Sequence, residues 1–286
     1  MKRTLYILLM CMPILASAQT FKVRWHNEAS DTIRITELLK QASHIRFDNP
    51  SARVGWFGRQ FIGTPYVGHT LEGDEEMLTV NLDELDCTTF VELALALAYT
   101  TGEDRQGWHD FLYNLRRIRY RKGELDGYSS RLHYICDWAV DNIHRGNITD
   151  VTRDIPGSRE LVRSIDYMSE NRDRYPSLAD SAQYARIRDI ENGYRNHKFS
   201  YIKSSDIGSK LIQKYLREGD ILAFVSKLKN LDVTHMGMIV KGDDGELYVL
   251  HASSKDGMVE ISQAPLARFL KNNPAWMGVR VFRLKE

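Results

Sequence analysis

The sequence contains 286 residues, of which 39 are Lys or Arg and 38 are Asp or Glu, giving a formal net charge of +1 at pH 7. Such a nearly neutral chain lacks the excess of positive charge with which nucleic-acid-binding proteins attract phosphates, so no nucleic-acid partner is expected. Hydrophobic residues make up 43% of the chain, which is enough for a large core in one elaborated domain.

The first residues are organised like a secretory signal peptide. Residues 2 and 3 are basic, residues 5–15 are apolar, and the small-residue sequence that ends at Ala18 is typical of a cleavage site. The apolar segment is shorter than the roughly 20 residues that a transmembrane helix needs, and no later segment is more apolar. We therefore expect residues 1–18 to be removed and residues 19–286 to form a single secreted domain, in the periplasm, without a transmembrane segment.

Hydrophobic periodicity predicts helices over residues 31–60 and 87–99. Apolar residues cover nearly every face of the second helix, so we expect it to be buried. Cys87 begins this helix, and Asp86 before it is suited to cap the helix N-terminus. A thiol in this position experiences the positive end of the helix dipole, which favours the thiolate. Cys87 is thus a candidate nucleophile, although a cysteine in an apolar segment is often only a small buried residue.

The middle of the chain predicts helices near residues 105–120, 131–144 and 177–196, with irregular or extended structure over residues 148–168. Cys136 lies on the apolar face of the predicted 131–144 helix, which favours a buried free thiol. Because the chain is expected to be secreted, a disulfide between Cys87 and Cys136 is the alternative.

The last third predicts strands over residues 219–226, 233–241, 246–252 and 277–283, with a helix over residues 264–272. Helices followed by an antiparallel meander predict the α+β class, with helices packed on one face of the sheet.

A loop rich in Gly and Asp joins the strands that contain His235 and His251, which predicts a hairpin. The two histidines then lie on adjacent strands. One can accept the proton of Cys87 while the other orients its ring, as in a catalytic triad. Alternatively, Cys87, His235 and His251 could bind zinc with water as the fourth ligand.

The order of these motifs resembles the NlpC-type papain-like cysteine peptidases of bacterial cell walls. The motifs are, in chain order, Gly63-Thr64-Pro65-Tyr66, Asp86-Cys87, the strand that begins at Gly219-Asp220, His235-Met236-Gly237 and His251-Ala252. The resemblance implies a papain-like NlpC-type fold, catalysis by Cys87, His235 and His251, and no cofactor or metal. It also implies that the Tyr66 hydroxyl faces Cys87. In the endopeptidases the Asp that matches Asp86 helps to bind a substrate amine together with a Ser. In this chain Thr88 replaces that Ser.

A long helical insertion, near residues 100–218, resembles one branch of this superfamily. It contains Ser130-Arg131-Leu132-His133-Tyr134, and the studied members of that branch are N-acetylmuramoyl-L-alanine amidases. This resemblance implies that peptidoglycan fragments are the substrates and that the amide between the lactyl group and L-alanine is cleaved. Arg131 and His133 would bind the substrate, with Arg131 on a carboxylate, or they form a solvated helix start. An endopeptidase that cuts after D-glutamate and a catalytically silent wall-binding module are the alternatives.

Overall fold

The computed structural model describes residues 22–285. The predicted signal peptide, residues 1–18, lies outside the described residues. The helices are α1 (Glu28–Ser43), α2 (Pro50–Arg59), α3 (Cys87–Gly102), α4 (Trp108–Arg119), α5 (Ile135–His144), α6 (Tyr167–Glu170), α7 (Ser181–Gly193), α8 (Lys210–Gln213) and α9 (Leu266–Lys271). The strands are β1 (Val23–Trp25), β2 (Leu78–Val80), β3 (Ile148–Asp150), β4 (Arg159–Arg163), β5 (His197–Lys203), β6 (Ile221–Ser226), β7 (Val233–Lys241), β8 (Leu247–Ser253), β9 (Met258–Ile261) and β10 (Trp276–Leu284).

An eight-stranded sheet forms the centre of the fold. Seven of its strands follow the order β4-β5-β10-β6-β7-β8-β9, and β3 pairs with β10. All of these pairings are antiparallel, while β1 and β2 form a separate parallel pair. Helices combined with an antiparallel sheet confirm the predicted α+β class. The expectation that helices pack on one face of the sheet is wrong, because α3 packs on one face and α9 packs on the other.

Helix α3 packs against one face of the sheet, where it contacts β7 and β8. Its residues are all buried from Thr89 to Thr100, as the apolar residues around its circumference predicted. Side chains alternate along β7, so that Met236 and Met238 join the core with α3 whereas Ile239 joins the core on the side of α9. The start of α3 is therefore held against the first residues of β7.

Residues 31–60 were predicted to form one helix, which is wrong, because this segment contains two helices. Helix α1 ends at Ser43, and α2 begins at Pro50 after Asn49. The Asn49 side chain accepts a hydrogen bond from the Ala52 N–H at 3.0 Å. Proline has no N–H to donate within a helix and forces the residue before it into an extended conformation, so the chain can begin a helix there but cannot continue one through it.

The insertion near residues 100–218 also contains strands. Strand β5 was not predicted, yet it pairs with both β4 and β10, and the short strand β9 was missed as well. Helix α7 begins later than predicted, because the Asp180 side chain accepts from the Ala182 N–H at 2.7 Å and caps it there. Short strands of this kind depend on partners distant in the chain, which a local pattern does not contain.

Candidate functional site

Asp86 caps the helix that carries Cys87. Its Oδ1 accepts hydrogen bonds from the Thr88 N–H at 3.0 Å and the Thr89 N–H at 2.8 Å, and the Asp86 N–H donates to Thr89 Oγ1 at 2.9 Å. This reciprocal capping box fixes the first turn of α3. The Asp86 carboxylate accepts no hydrogen bond from the Cys87 N–H, which is the backbone donor just before those of Thr88 and Thr89.

The Cys87 thiol lies beside strand β7 and is neutral at physiological pH. Burial raises its pKa to about 12, and the Asp86 carboxylate acts in the same direction. The Met236 N–H and the Thr88 hydroxyl lower the pKa, but by less. Desolvation thus outweighs the groups that favour the thiolate, so the free protein carries a neutral thiol. The residue still keeps part of its surface exposed.

The predicted hairpin is confirmed and brings the two histidines together. Strands β7 and β8 pair with Met238 opposite Leu250, and His235 Nε2 lies 2.9 Å from His251 Nδ1 with the rings nearly perpendicular, at 88°. Gly237 makes this approach possible. A Cβ there would lie 3.0 Å from the His251 Cβ and 2.9 Å from the Leu250 carbonyl oxygen.

A β-bulge shapes β7 next to the histidines. His235 pairs with Phe224, but the following partner of Val225 is Val233, so Thr234 is an extra residue. Bulges redirect side chains and are common near functional sites. The Trp276 Nε1–H donates to Thr234 Oγ1 at 3.1 Å, which ties the bulge to the start of β10.

Within residues 22–285, no hydrogen bond joins the Cys87 thiol to either imidazole. The thiol lies instead against the N–H of Met236, the residue after His235.

An aromatic cluster encloses the histidine pair. The Trp276 ring stacks on His235 with centroids 5.6 Å apart and planes 8° apart, and Phe224 lies 5.3 Å from the same ring. Phe269 lies 5.1 Å from the His251 ring. Burial accordingly lowers the pKa of His235 to about 3, with a further contribution from His251, and the pKa of His251 to about 4. Both imidazoles are neutral at physiological pH.

These lowered pKa values predict a specific pH dependence of stability. As the pH falls below about 6.5, histidines in the unfolded chain bind protons that the folded histidines do not bind. The free energy of unfolding therefore decreases until the pH approaches 4 for His251 and 3 for His235. Urea unfolding between pH 7 and 4 should show a shallower decrease for the double variant His235→Gln/His251→Gln than for the natural chain. Parallel curves for the two proteins would contradict the prediction.

Tyr66 lies close enough to Cys87 for the two side chains to interact electrostatically. Its N–H donates to the Gly257 carbonyl oxygen at 2.8 Å, and the preceding Pro65 carbonyl accepts from the Leu85 N–H at 3.0 Å. Burial raises the pKa of Tyr66 to about 12, with smaller contributions from Cys87 and Asp86. The phenol therefore remains a hydrogen-bond donor at physiological pH.

Arg131 and His133 precede helix α5, and the idea that they form a solvated helix start is wrong. Arg131 is 7% exposed; its Nη2 lies 2.8 Å from Glu72 Oε1 and its Nε lies 3.2 Å from Glu76 Oε1. His133 Nε2 lies 2.8 Å from the Tyr128 carbonyl oxygen. The guanidinium thus already has two carboxylates from the protein itself. Its role as a ligand of a substrate carboxylate stays a prediction, as does the role of His133.

Glu260 and Trp276 were missed by the sequence analysis. Glu260 lies directly opposite His251 on strand β9, with its Oε1 3.9 Å from His251 Nε2. The strand itself was not recognised, so no signal pointed to Glu260. Trp276 immediately precedes the predicted strand over residues 277–283, and a large aromatic residue at that boundary was the available signal.

The structure answers one alternative from the sequence, the disulfide between the two cysteines. Cys87 and Cys136 are both free thiols, so the disulfide alternative is wrong. Among the described residues, no group of three or more His, Cys, Asp or Glu side chains is arranged to hold a metal ion. The facing nitrogens of His235 and His251 are hydrogen-bonded to each other rather than directed at one common point.

No helix in the described part of the chain is long and apolar enough to cross a membrane.

Residues 56–279 match the AmiA-like family, described as N-acetylmuramoyl-L-alanine amidase-like. This chain belongs to that family. An N-acetylmuramoyl-L-alanine amidase from Bacteroides uniformis is similar in structure, with a TM-score of 0.75 and 38% identity over 83% of this chain and 99% of that one. A Bacteroides fragilis protein described as a candidate xylanase gives a TM-score of 0.74 and 40% identity over 80% of this chain and 99% of that one.

A more distant structure shares the fold. The protein LPG0564 from Legionella pneumophila has a TM-score of 0.69 and 18% identity over 91% of this chain and 96% of that one. No curated protein matches the chain. Membership of the amidase-like family assigns the chain to a group of hydrolases related to peptidoglycan.

Proposed function

We propose that this protein is a cysteine-dependent N-acetylmuramoyl-L-alanine amidase with a papain-like NlpC-type fold, which hydrolyses the amide between the lactyl group and L-alanine in peptidoglycan fragments. The observation that carries the proposal is the contact of 2.9 Å between His235 and His251, on the strand against which the Cys87 thiol lies. Family membership and the 38% identity to the Bacteroides uniformis amidase support this choice of bond.

The hydrogen bond between the histidines defines their tautomers. To accept the thiol proton on Nδ1, neutral His235 must carry its own proton on Nε2 and donate it to His251 Nδ1. His251 then carries its proton on Nε2, the nitrogen that faces Glu260 at 3.9 Å. In this arrangement His251 orients His235 and stabilises the imidazolium that forms, which is the role of the third member of a triad.

The reaction proceeds through a thioester. His235 removes the thiol proton as Cys87 Sγ attacks the lactyl carbonyl carbon, and because the free thiol is neutral, proton transfer accompanies the attack. The imidazolium returns this proton to the nitrogen of L-alanine as the amide bond breaks. Water, activated by His235, then hydrolyses the thioester to the lactyl carboxylate and restores the thiol.

The developing oxyanion needs donors at the start of α3. The Cys87 N–H is available because the Asp86 carboxylate engages the next two amides, and the Tyr66 hydroxyl is the second donor that we propose. Loss of one such donor typically lowers the rate by about 10²–10³-fold. Since Asp86 is committed to the cap, Asp86 and Thr88 support substrate binding through the shape of this turn.

We also propose that the protein is secreted into the periplasm, on the evidence of its first 18 residues, where peptidoglycan fragments are accessible. The signal sequence and the substrate class are consistent with each other. The endopeptidase and the silent wall-binding module remain as competing functions, and product analysis separates them.

The test is mass spectrometry of a purified disaccharide tripeptide after incubation with the protein. The amidase predicts a disaccharide with a free lactyl carboxylate and an intact tripeptide with a free L-alanine amine. Disaccharide that retains L-alanine and D-glutamate, together with a released diamino acid, would instead establish the endopeptidase. Unchanged substrate, combined with equal rates of iodoacetamide labelling at Cys87 and Cys136, would establish the silent module.

A further inference from the structure

A basic groove begins at the wall of the histidine site and leads away from it. A cavity of about 340 Å³ contacts His235 and His251, and an adjoining groove has a volume of about 1050 Å³. The two share Asn272, Asn273 and Trp276 as lining residues. Because Trp276 also stacks on His235, the groove opens directly beside the histidine that we propose as the base.

The groove is positively charged and its charges are not neutralised. Lys203, Lys227, Arg268 and Lys271 line it, and its described lining residues include no Asp or Glu. All four side chains are exposed, and none forms an ion pair within residues 22–285. Asp206 is close enough to interact with Lys203, but it pairs with Arg159 at 2.9 Å.

Four like charges around one groove do not stabilise the fold, since like charges repel. The whole chain has a formal net charge of only +1, so four unpaired positive charges at one groove are a local excess of positive charge. The buried Arg131, by contrast, lies between Glu72 and Glu76 and offers little charge to a ligand. Positive side chains that line a groove without internal partners attract and orient an anionic ligand.

The proposed chemistry identifies which part of the substrate enters the groove. The His235 imidazolium must donate its proton to the departing nitrogen of L-alanine, so the leaving peptide lies on the side of His235. That peptide continues into D-glutamate and a diamino acid, both of which carry carboxylates. An extended tripeptide spans about 10 Å, and the cavity adjoins the groove at Asn272, Asn273 and Trp276.

We propose that the basic groove binds the carboxylates of the stem peptide, as the leaving-group subsite of this enzyme; the assignment of the peptide rests on the proposed amidase function. The groove selects fragments with unmodified carboxylates, whereas fragments with amidated carboxylates bind less tightly. Trp276 separates the charged subsite from the neutral histidines.

The first experiment measures binding of the free stem tripeptide, L-Ala-D-Glu-diaminopimelate, by calorimetry. The groove variant is Lys203→Glu/Lys227→Glu, and the matched control is Lys210→Glu/Lys214→Glu, which changes two exposed lysines around α8. We expect the groove variant to raise the Kd about tenfold or more, because two exposed charge contacts with the peptide are lost. The control should bind the peptide as the natural chain does. Added salt should weaken binding to the natural chain more than to the groove variant.

The second experiment measures hydrolysis of the sugar-linked tripeptide and of N-acetylmuramoyl-L-alanine amide, which has no stem carboxylates. We expect the groove variant to raise KM about tenfold for the tripeptide only, with kcat nearly unchanged. Equal tripeptide binding by the groove variant, the control and the natural chain would overturn the groove assignment, whatever the hydrolysis shows. If the natural chain hydrolyses neither compound but the groove variant still loses peptide binding, the amidase proposal fails and the groove assignment stands.

Discussion

The variant Cys87→Ala is expected to lose hydrolysis of the lactyl–L-alanine amide by about 10⁴-fold or more, as is typical when a nucleophile is removed. The thioester cannot form without the sulfur. Stability should change by less than about 1 kcal/mol, because the residue is partly exposed and the Asp86 cap remains. Product formation by mass spectrometry and urea unfolding test the two parts of this expectation.

The control for this variant is Cys136→Ala, which removes the other described thiol, buried in helix α5, and should retain turnover. Substantial turnover by Cys87→Ala would refute a cysteine mechanism. EDTA should have little effect on the natural chain. Loss of activity with EDTA and recovery with zinc would instead establish the metal alternative for Cys87, His235 and His251.

The variant His235→Ala is expected to be nearly as inactive as Cys87→Ala, whereas His251→Asn should retain measurable turnover. His235 moves the proton in both chemical steps, while His251 acts through the tautomer and ring position of His235. An asparagine at position 251 can still accept the Nε2–H of His235 through its side-chain oxygen. The measurement is kcat/KM on the sugar-linked tripeptide, with the exposed His144→Ala as a control that should match the natural chain.

The pH profile of the partly active variant adds a second readout. His251 contributes to the lowered pKa of His235. With the His251 ring removed, the pKa that governs the acidic limb of kcat/KM should therefore rise. An inactive His251→Asn together with an active His235→Ala would reverse the two roles. Equal and complete loss in both would mean that the two rings act as one unit.

Local sequence patterns determined the elements that carry the site. Asp86 before Cys87 predicted the helix start, and the Gly and Asp content between residues 241 and 246 predicted the hairpin that pairs β7 with β8. These features depend on neighbours within a few positions, and backbone preferences at caps and turns are strong at that range. The contact between His235 and His251 follows from the hairpin once its register is known.

Local patterns therefore predicted the α+β class, the capped helix that begins at Cys87 and the pairing of the two histidine strands. The charge states of these side chains and the residues that surround them follow only from the folded chain. Burial raises the pKa of Cys87 against the helix dipole, Glu72 and Glu76 neutralise Arg131, and Trp276 stacks on His235 from 41 positions away (276 less 235). Desolvation and ion pairing depend on atoms brought together from distant parts of the chain, and no local pattern records them.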